Sequence, residues 1–416
     1  MTHTRDGTHQ LRFGIIGLGR AGSSFVSTIR QNPRVTLTAA ADIRPDVLER
    51  FGREHAVALY ADAEALCKDS NVDVVYVATP THLHAEQVLM ALNHHKHVLV
   101  AKPMAITLED AQRMVDLAGR NGLSLIEAHP QSMEIPVLKM REVVESGALG
   151  RLRMMHNWTY SAWLYQPRLP EELDTQLGGG VTFRQGAHQF DILRLIGGGV
   201  VRSVRAMTGI WDPTRPTEGA HTALLDFEDG TVATAVFSGY DRFHSSELTF
   251  GLGQGGALEN QTEYAAARRS RAMSDEAQLK SLRGYGLANS LTREHAARGQ
   301  PFYGLTIVSC ERGDVRQSRD GLLIYGEDQK REVTLPLRKS GRDFVLDEVY
   351  RSIVEGQSCV HDGAWSLATL ELTLAVIQSG RERSEVMLRH QVPLKVTMRE
   401  FLANLLNHGG MTHDER

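Results

Sequence analysis

The 416-residue chain has 46 lysine and arginine residues, 50 acidic residues and a net charge of −4, and 42% of its residues are hydrophobic. This length predicts two or three domains, and the slightly negative charge disfavours nucleic acid or an anionic membrane as a partner. The polar residues 1–10 lack the apolar core of a signal peptide, no run of about 18 apolar residues predicts a membrane span, and three dispersed cysteines favour the reducing cytoplasm.

Residues 11–130 alternate strand-like and helix-like segments, which predicts an α/β domain of the Rossmann type. Apolar runs predict strands at Leu11–Ile16, Val35–Ala41, Val72–Ala78, His97–Ala101 and Leu123–Glu127. Helices are predicted at Ala21–Arg30, Asp46–His55, His84–His94 and Leu108–Asn121. Because strands that alternate with helices of about 10–15 residues form crossover units, the sheet is expected to be parallel.

Residues 131–395 are expected to form an α+β substrate-binding domain with a large, mostly antiparallel open sheet. Helices are predicted at Val137–Ser146, after the glycines Gly178–Gly180 as far as Arg194, near Asp343–Glu355 and at Ala364–Gly380. Strands are predicted at Leu152–Tyr160 and in two hairpins, Thr222–Phe227 with Thr231–Ser238 and Gly321–Tyr325 with Glu332–Leu335.

The remaining segments of the chain carry weaker patterns. Polar residues 258–300 favour helix or loop without a definite place, and a polar stretch follows the last predicted helix. We expect residues 1–10 and 405–416 to be flexible tails. Because an open antiparallel sheet has a face that needs covering, we also expect a homodimer or homotetramer.

A glycine-rich turn after the first predicted strand is the strongest local signal for a cofactor. It reads Gly17-Leu18-Gly19-Arg20-Ala21-Gly22. The first glycine allows a tight turn, the second lets the backbone approach a diphosphate, and the third lets the helix pack against the strand. Asp42 ends the second strand, where a carboxylate binds ribose hydroxyls and repels a 2′-phosphate, so NAD is favoured over NADP. Arg44 softens that preference, and a glycine-rich turn without a ligand is the alternative interpretation.

Three further motifs follow in order along the chain. They read Val77-Ala78-Thr79-Pro80-Thr81-His82-Leu83-His84, then Val100-Ala101-Lys102-Pro103, then Gly178-Gly179-Gly180-Val181-Thr182-Phe183-Arg184-Gln185-Gly186-Ala187-His188-Gln189-Phe190-Asp191. With the glycine-rich turn, these motifs resemble the Gfo/Idh/MocA family of glucose–fructose oxidoreductase and inositol dehydrogenase over nearly the whole chain. The resemblance implies an NAD(P)-dependent dehydrogenase with Lys102 and His188 as catalytic residues. It also implies cofactor contacts from Thr79, Pro80, Thr81, His84 and Lys102.

Each of the two implied catalytic residues suits the acceptance of a hydroxyl proton during oxidation of an alcohol. A lysine that is desolvated in a cleft titrates near neutral pH, and a histidine does so without perturbation. The alternatives are a surface lysine at a strand end and a helix-face histidine with a backbone partner. No metal is expected at the histidine clusters, because no cysteine or carboxylate lies at a spacing that would complete a metal site with them. These histidines are His82, His84, His94, His95 and His97.

The chain departs from the family pattern at two positions. Ala101 stands where the family has a glutamate, and Arg184 stands where it has a catalytic aspartate. Because arginine is a fixed cation whose fork suits carboxylates, Arg184 indicates an anionic small-molecule substrate. Alternatively, Arg184 pairs with Asp191 or Asp174 and has no substrate role. The other candidate substrate-binding residues are Gln185, Arg168 and Asp191.

Segments 165–175 and 211–219 resemble a branch of the family assigned as 4,5-dihydroxyphthalate dehydrogenases. The resemblance implies oxidation of a cis-dihydrodiol dicarboxylate to a catechol dicarboxylate with NAD, a step of aromatic compound catabolism. The alternatives are an inositol or sugar dehydrogenase, an NAD-dependent glycosidase, and a non-catalytic NAD-binding sensor. The glycosidase needs a neutral-sugar pocket, which fits poorly with Arg184, while the altered positions Ala101 and Arg184 keep the sensor open.

Overall fold

The computed structural model describes residues 2–3, 9–259, 264–271, 275–281, 285, 298–337 and 339–407. Its N-terminal domain alternates strands and helices as the sequence predicts. The elements are β1 (Thr2–His3), β2 (His9–Ile16), α1 (Arg20–Gln31), β3 (Val35–Ala41), α2 (Pro45–Glu54), β4 (Ala58–Tyr60), α3 (Ala63–Lys68), β5 (Val74–Val77), α4 (His84–Asn93), β6 (His97–Ala101), α5 (Leu108–Asn121) and β7 (Leu125–Ala128).

The sheet of this domain has the strand order β4-β3-β2-β5-β6-β7, and all of these neighbours are parallel. The short strand β1 pairs antiparallel with the beginning of β2. Helices α1 and α2 pack on one face of the sheet, and α3, α4 and α5 pack on the other. Strand β5 is therefore buried on both faces, which explains its uninterrupted apolar sequence. The predicted α/β Rossmann domain is confirmed.

Two short elements of the first domain, β4 and α3, carry no clear sequence pattern. Strand β4 has three residues and helix α3 has six, which is too short for a hydrophobic period to repeat. Helix α3 begins where the Asp62 carboxylate accepts a hydrogen bond from the Ala65 amide at 2.8 Å. Capping and packing against β3 and β4 therefore define this helix.

The second domain contains most of its strands between its first helix and its last three helices along the chain. The elements are α6 (Ile135–Glu145), β8 (Leu152–Tyr160), α7 (Ala187–Gly197), β9 (Val201–Gly209), β10 (Ala220–Phe227), β11 (Val232–Ser238), α8 (Ala266–Arg271), α9 (Glu276–Ser281), β12 (Leu305–Cys310), β13 (Gly313–Gln317), β14 (Gly321–Gly326), β15 (Lys330–Thr334), α10 (Gly341–Val354), α11 (Gly363–Glu382), β16 (Val386–Met387) and α12 (Met398–Asn407).

The nine-stranded sheet of the second domain has the order β15-β14-β13-β12-β8-β11-β10-β9-β16. Its strand pairs are antiparallel except for β8 and β11, which run parallel. The predicted mostly antiparallel sheet is thus confirmed. One face packs on α7 and α11, whereas the opposite face exposes apolar side chains of neighbouring strands: Met154, Trp158, Met207, Leu224 and Val232. The homodimer or homotetramer stays a prediction.

The end of the chain differs from the polar stretch that the sequence indicates after α11. Strand β16 pairs with the edge strand β9, and the apolar side of α12 is buried through Met398, Phe401 and Leu402. A two-residue strand has no period to detect, so its pairing is a tertiary effect. The expected tails, 1–10 and 405–416, lie largely outside the described residues, as does part of 258–300.

Among the helices of the described residues, none combines the length and apolar character needed to cross a membrane. The three cysteines, Cys67, Cys310 and Cys359, are all free thiols.

Candidate active site

The glycine-rich turn between β2 and α1 has the geometry of a diphosphate-binding loop. Gly17 has a φ of +92°, and a Cβ there would lie 2.9 Å from the Ala78 carbonyl oxygen. A Cβ on Gly22 would lie 2.0 Å from the Gly17 carbonyl oxygen, so the close approach of helix and strand excludes a side chain. A Cβ on Gly19 would meet open space, which leaves the loop backbone accessible. These residues fit the diphosphate of a dinucleotide at the N-terminus of α1.

Asp42 lies at the end of β3, beside the same loop. Its carboxylate accepts a hydrogen bond from the Leu18 amide at 2.8 Å and a bidentate pair from Arg44 at 2.8 and 2.9 Å. Burial raises the pKa of Asp42, but the hydrogen bonds from Arg44 and the backbone outweigh that effect, and the net pKa is lowered. An ionised carboxylate therefore lies beside the loop, with Arg44 neutralising part of its charge, and its contact with a ribose stays a prediction.

The His84 side chain lies buried at the beginning of α4. It is 1% exposed, and its two ring nitrogens lie 2.9 Å from the carbonyl oxygens of Thr79 and Pro103. The ring is enclosed between two loops, which does not favour a direct contact with the cofactor, and the role of His84 stays a prediction. The ring instead joins two loops: the loop after β5, which contains Thr79, Pro80 and Thr81, and the loop after Lys102.

Lys102 and His188 line one cleft of about 520 Å³ between the two domains. The Lys102 ammonium group donates a hydrogen bond to the main-chain carbonyl oxygen of Arg184. Burial, with the charge of Arg184, lowers the pKa of Lys102 to about 7. Burial and the neighbouring Lys102 hold the pKa of His188 well below its ordinary value. Both side chains therefore have an accessible neutral form, which a proton acceptor requires.

The backbone just before α7 explains how Arg184 reaches this cleft. Residues Thr182–Gly186 form one turn of π-helix, a widened turn often found at functional sites, and α7 then continues from Ala187. The Arg184 carbonyl oxygen, inside this turn, accepts the hydrogen bond from Lys102. Its guanidinium lies 3.4 Å from the Glu172 carboxylate and 3.5 Å from the Thr81 hydroxyl.

Glu172 is the buried carboxylate around which the cations of the cleft gather. Its Oε1 atom lies 3.4 Å from Arg184, 3.5 Å from Arg168 and 2.9 Å from the ammonium group of Lys280. Burial raises the pKa of Glu172, but the charges of Arg184, Lys280 and Arg168 outweigh that effect and lower the pKa to about 2. Neither Asp191 nor Asp174 is the partner of Arg184; that partner is Glu172, which the sequence analysis did not single out.

Arg168 and Gln185 also line the cleft, with different freedom. The Arg168 guanidinium stacks on the Trp163 ring at 3.8 Å and donates two hydrogen bonds to the Trp163 carbonyl oxygen. Gln185 receives hydrogen bonds from the Tyr303 hydroxyl at its main-chain and side-chain oxygens, at 2.8 and 3.0 Å. Arg168 therefore supports the cleft wall, and Arg184 is the more available of the two predicted arginines.

Asp191 lies behind the cleft and does not line it. It is 0% exposed and accepts hydrogen bonds from the Trp365 indole at 2.7 Å and from His361 at 3.1 Å. The structure therefore does not bring Asp191 to the cleft with the other predicted substrate-binding residues, because its oxygens are bonded inside the second domain. His129 stacks on His361 at 5.3 Å and lies edge-on to His188 at 6.2 Å, so Asp191 belongs to a buried polar cluster that supports His188 from behind.

The charge of the cleft is strongly uneven. Among the described residues, two carboxylates line it, Glu172 and Glu259. The cationic lining side chains are Arg20, Lys102, Arg168, Arg184, Lys280 and Arg342. Lys280 and Arg342 were missed by sequence reasoning, because they come from α9 and α10 and carry no motif. Within the described residues, His, Cys, Asp and Glu side chains form no group of three or more arranged for a metal ion.

A Rossmann domain with an open diphosphate loop, joined to a second domain that brings a histidine to a strand-end lysine, defines an NAD-binding oxidoreductase. The chain belongs to the Gfo/Idh/MocA family. The family model for the oxidoreductase family with an NAD-binding Rossmann fold matches residues 11–129, and that for the Gfo/Idh/MocA C-terminal domain matches residues 137–258. The resemblance seen in the motifs is confirmed.

Two relatives are similar to the chain over most of its length. It is 36% identical over 379 residues to 1-carboxy-3-chloro-3,4-dihydroxycyclohexa-1,5-diene dehydrogenase of Comamonas testosteroni, covering 89% of this chain and 95% of the relative. A solved structure from Bordetella bronchiseptica RB50, assigned as a dehydrogenase, is 37% identical with a TM-score of 0.86, covering 91% of this chain and all of that one.

A third similar structure shows the fold alone. The WlbA dehydrogenase from Bordetella pertussis, in complex with NADH and UDP-GlcNAcA, is 20% identical with a TM-score of 0.68. The match covers 92% of this chain and 98% of that one.

Proposed function

We propose that this enzyme oxidises a carboxylated cyclic cis-diol with NAD, converting a cis-dihydrodiol carboxylate into the corresponding catechol; the dicarboxylate that yields 4,5-dihydroxyphthalate is one such substrate. The observation that supports this most is the placement of Arg184 beside Lys102, in a cleft where cations outnumber carboxylates. The similarity to a dehydrogenase of a carboxylated dihydroxycyclohexadiene supports the same substrate class.

The residues of the cleft are suited to the two parts of this oxidation. Bound NAD supplies the hydride acceptor. Lys102, with a pKa lowered to about 7, accepts the hydroxyl proton as the carbinol carbon loses its hydride, and the C–O bond becomes a carbonyl. His188 lines the same cleft. Because its pKa is well below its ordinary value, it stays neutral and does not take up a proton from bulk water at neutral pH. The resulting hydroxy-ketone then enolises: the neighbouring carbon that bears the second hydroxyl loses its hydrogen as a proton, and the carbonyl oxygen takes up a proton. The ring thereby becomes an aromatic catechol, which drives the oxidation forward.

Arg184 supplies the preference for an acid. Its guanidinium is held near the cleft by Glu172 and Thr81 and is one quarter exposed. A carboxylate on the substrate ring forms a charge-assisted pair with this fork, worth about 1.5–3 kcal/mol. A neutral diol gains nothing from it, so the substrate carboxylate selects the ring and orients the diol toward Lys102.

The test compares a cis-dihydrodiol carboxylate with its primary amide in NADH-formation assays. We expect the native enzyme to prefer the acid. Arg184→Ala should raise KM for the acid by about 10- to 100-fold, while KM for the amide stays nearly unchanged. Arg184→Asp should abolish activity on the acid, because an anion would face an anion. Arg113→Ala, on the surface of α5, is the matched control. A native preference for the amide would refute the acidic substrate.

A further inference from the structure

Lys280 comes from helix α9, in a part of the chain that carries no motif. Its side chain is 20% exposed, it lines the same cleft as Lys102 and Arg184, and its ammonium group lies 2.9 Å from the Oε1 atom of Glu172. Burial lowers the pKa of Lys280 to about 8, with Glu172 opposing the shift, so the side chain is largely cationic at neutral pH. A charged lysine thus faces the region where the substrate carboxylate is proposed to bind.

Helix α9 is held against the cleft by contacts on both sides of Lys280. The Glu276 carboxylate accepts hydrogen bonds from the Arg168 amide at 3.0 Å and from the Arg215 guanidinium at 2.6 Å. Beyond the helix, the Tyr285 amide donates to the Leu18 carbonyl oxygen at 3.3 Å. The same segment therefore touches both the wall of the cleft and the cofactor loop, which restricts where Lys280 can lie.

The cations around Glu172 exceed what one carboxylate can neutralise. Its Oε1 atom faces Arg184, Arg168 and Lys280, while its Oε2 atom accepts the Leu169 amide at 2.9 Å. Three cations therefore share this one carboxylate. Arg168 is stacked on Trp163 and nearly buried. The excess charge is therefore presented to the cleft by Arg184 and Lys280.

We propose that Lys280 is a specificity-determining residue that binds the substrate carboxylate together with Arg184, an inference that rests on the proposed function. Arg184 provides a planar fork and Lys280 a compact point charge on the other side of the same anion. Arg184 and Lys280 both contact the Oε1 atom of Glu172, so their charged groups lie close together. A substrate carboxylate that enters the cleft can therefore contact both. Helix α9, which lies outside the matched family domains, thus contributes to substrate choice in this chain.

The experiment measures binding of benzoate and benzamide to the NADH-bound enzyme by calorimetry. We expect the native protein to bind benzoate more tightly, and Lys280→Met and Lys280→Gln to weaken benzoate by about tenfold or more without changing benzamide. Lys280→Arg should retain most of the affinity. Lys68→Met, at an exposed ion pair on α3, controls for the loss of a surface lysine. Thermal melting of each variant separates lost binding from lost folding.

Two results would overturn the inference, and they differ in what else they affect. If both Lys280 variants are folded and bind benzoate like the native protein, whereas Arg184→Met does not, Lys280 has no part in the anion site and the proposed function stands. If the native protein binds benzoate no better than benzamide, the acidic-substrate proposal fails together with the role of Lys280.

Discussion

The side-chain ammonium group of Lys102, at the C-terminal end of the parallel sheet, donates a hydrogen bond to the main-chain carbonyl oxygen of Arg184, 82 positions further along the chain. This contact joins the two domains at the cleft. It also brings the Arg184 guanidinium close enough to lower the pKa of Lys102, in addition to the effect of burial. Arg184, one of the two departures from the family pattern, therefore affects the pKa of the proposed proton acceptor in addition to its proposed contact with the substrate.

Lys102 is expected to carry the proton transfer. Replacement by methionine keeps the length of the side chain and removes the base, so the chemical rate should fall by about 10²–10⁴-fold. Lys102→Arg should be as slow, because a guanidinium keeps its proton at neutral pH. Single-turnover NADH formation measures the rate, and NAD titration should show nearly native Kd values. Near-native turnover in either variant would contradict the assignment.

The pH dependence of turnover follows from the lowered pKa of Lys102. Below about pH 7 the lysine is protonated and cannot accept a proton, so kcat/KM should rise with pH through about 7 and then level off. His188 contributes no second rise, because its pKa is well below its ordinary value. Arg184→Met removes a nearby positive charge and should move the midpoint to higher pH. A profile that falls through this range would rule out Lys102 as the base.

Cofactor preference is expected to depend on the Asp42–Arg44 pair. NAD should bind more tightly than NADP, because the ionised Asp42 repels a 2′-phosphate. Asp42→Ala removes that repulsion and releases Arg44 from its bidentate contact. The difference between the binding free energies of NAD and NADP should therefore decrease by about 1.5–3 kcal/mol. Fluorescence titration with NADH and NADPH measures it. The matched variant Arg44→Ala should increase this difference instead, and a native preference for NADP would contradict the interpretation.

The buried cluster behind His188 should make stability depend on pH. Burial lowers the pKa of His361, but Asp191 and Glu348, each with an oxygen 3.1 Å away, outweigh it and raise the pKa to about 10. In the unfolded chain a histidine titrates near about 6.5. Between these values the folded state binds the additional proton, so the stabilisation is complete below about pH 6.5 and is lost as pH rises toward about 10.

Denaturant unfolding of the native protein and of His361→Gln across this range measures the effect. The variant should lose about 3–5 kcal/mol near pH 6.5, because two buried carboxylates lose their cationic partner, and its stability should depend less on pH. An equal slope in both proteins would show that His361 is not the titrating group.

Sequence reasoning could predict those parts of the site that depend on local chain geometry. The glycines at 17 and 22 are required by backbone contacts that a Cβ would violate, and Asp42 is placed by the end of its strand. Lys102 and His188 were singled out only through the resemblance to the family, and their catalytic roles stay predictions, although the structure brings both side chains to one cleft. The burial of His84 and Asp191 could not be predicted, because a motif does not show which side of a loop or helix is enclosed.

The sequence by itself determined the two domains, the class of their sheets and the cofactor loop, since hydrophobic periodicity and glycine positions act over a few residues. Only the tertiary structure decided the charge of the cleft. Glu172, Lys280 and Arg342 come from three segments far apart in the chain, and none has a local pattern that predicts its neighbours. Their electrostatic effect depends on distance and burial, which arise when the two domains and helix α9 close around one cavity.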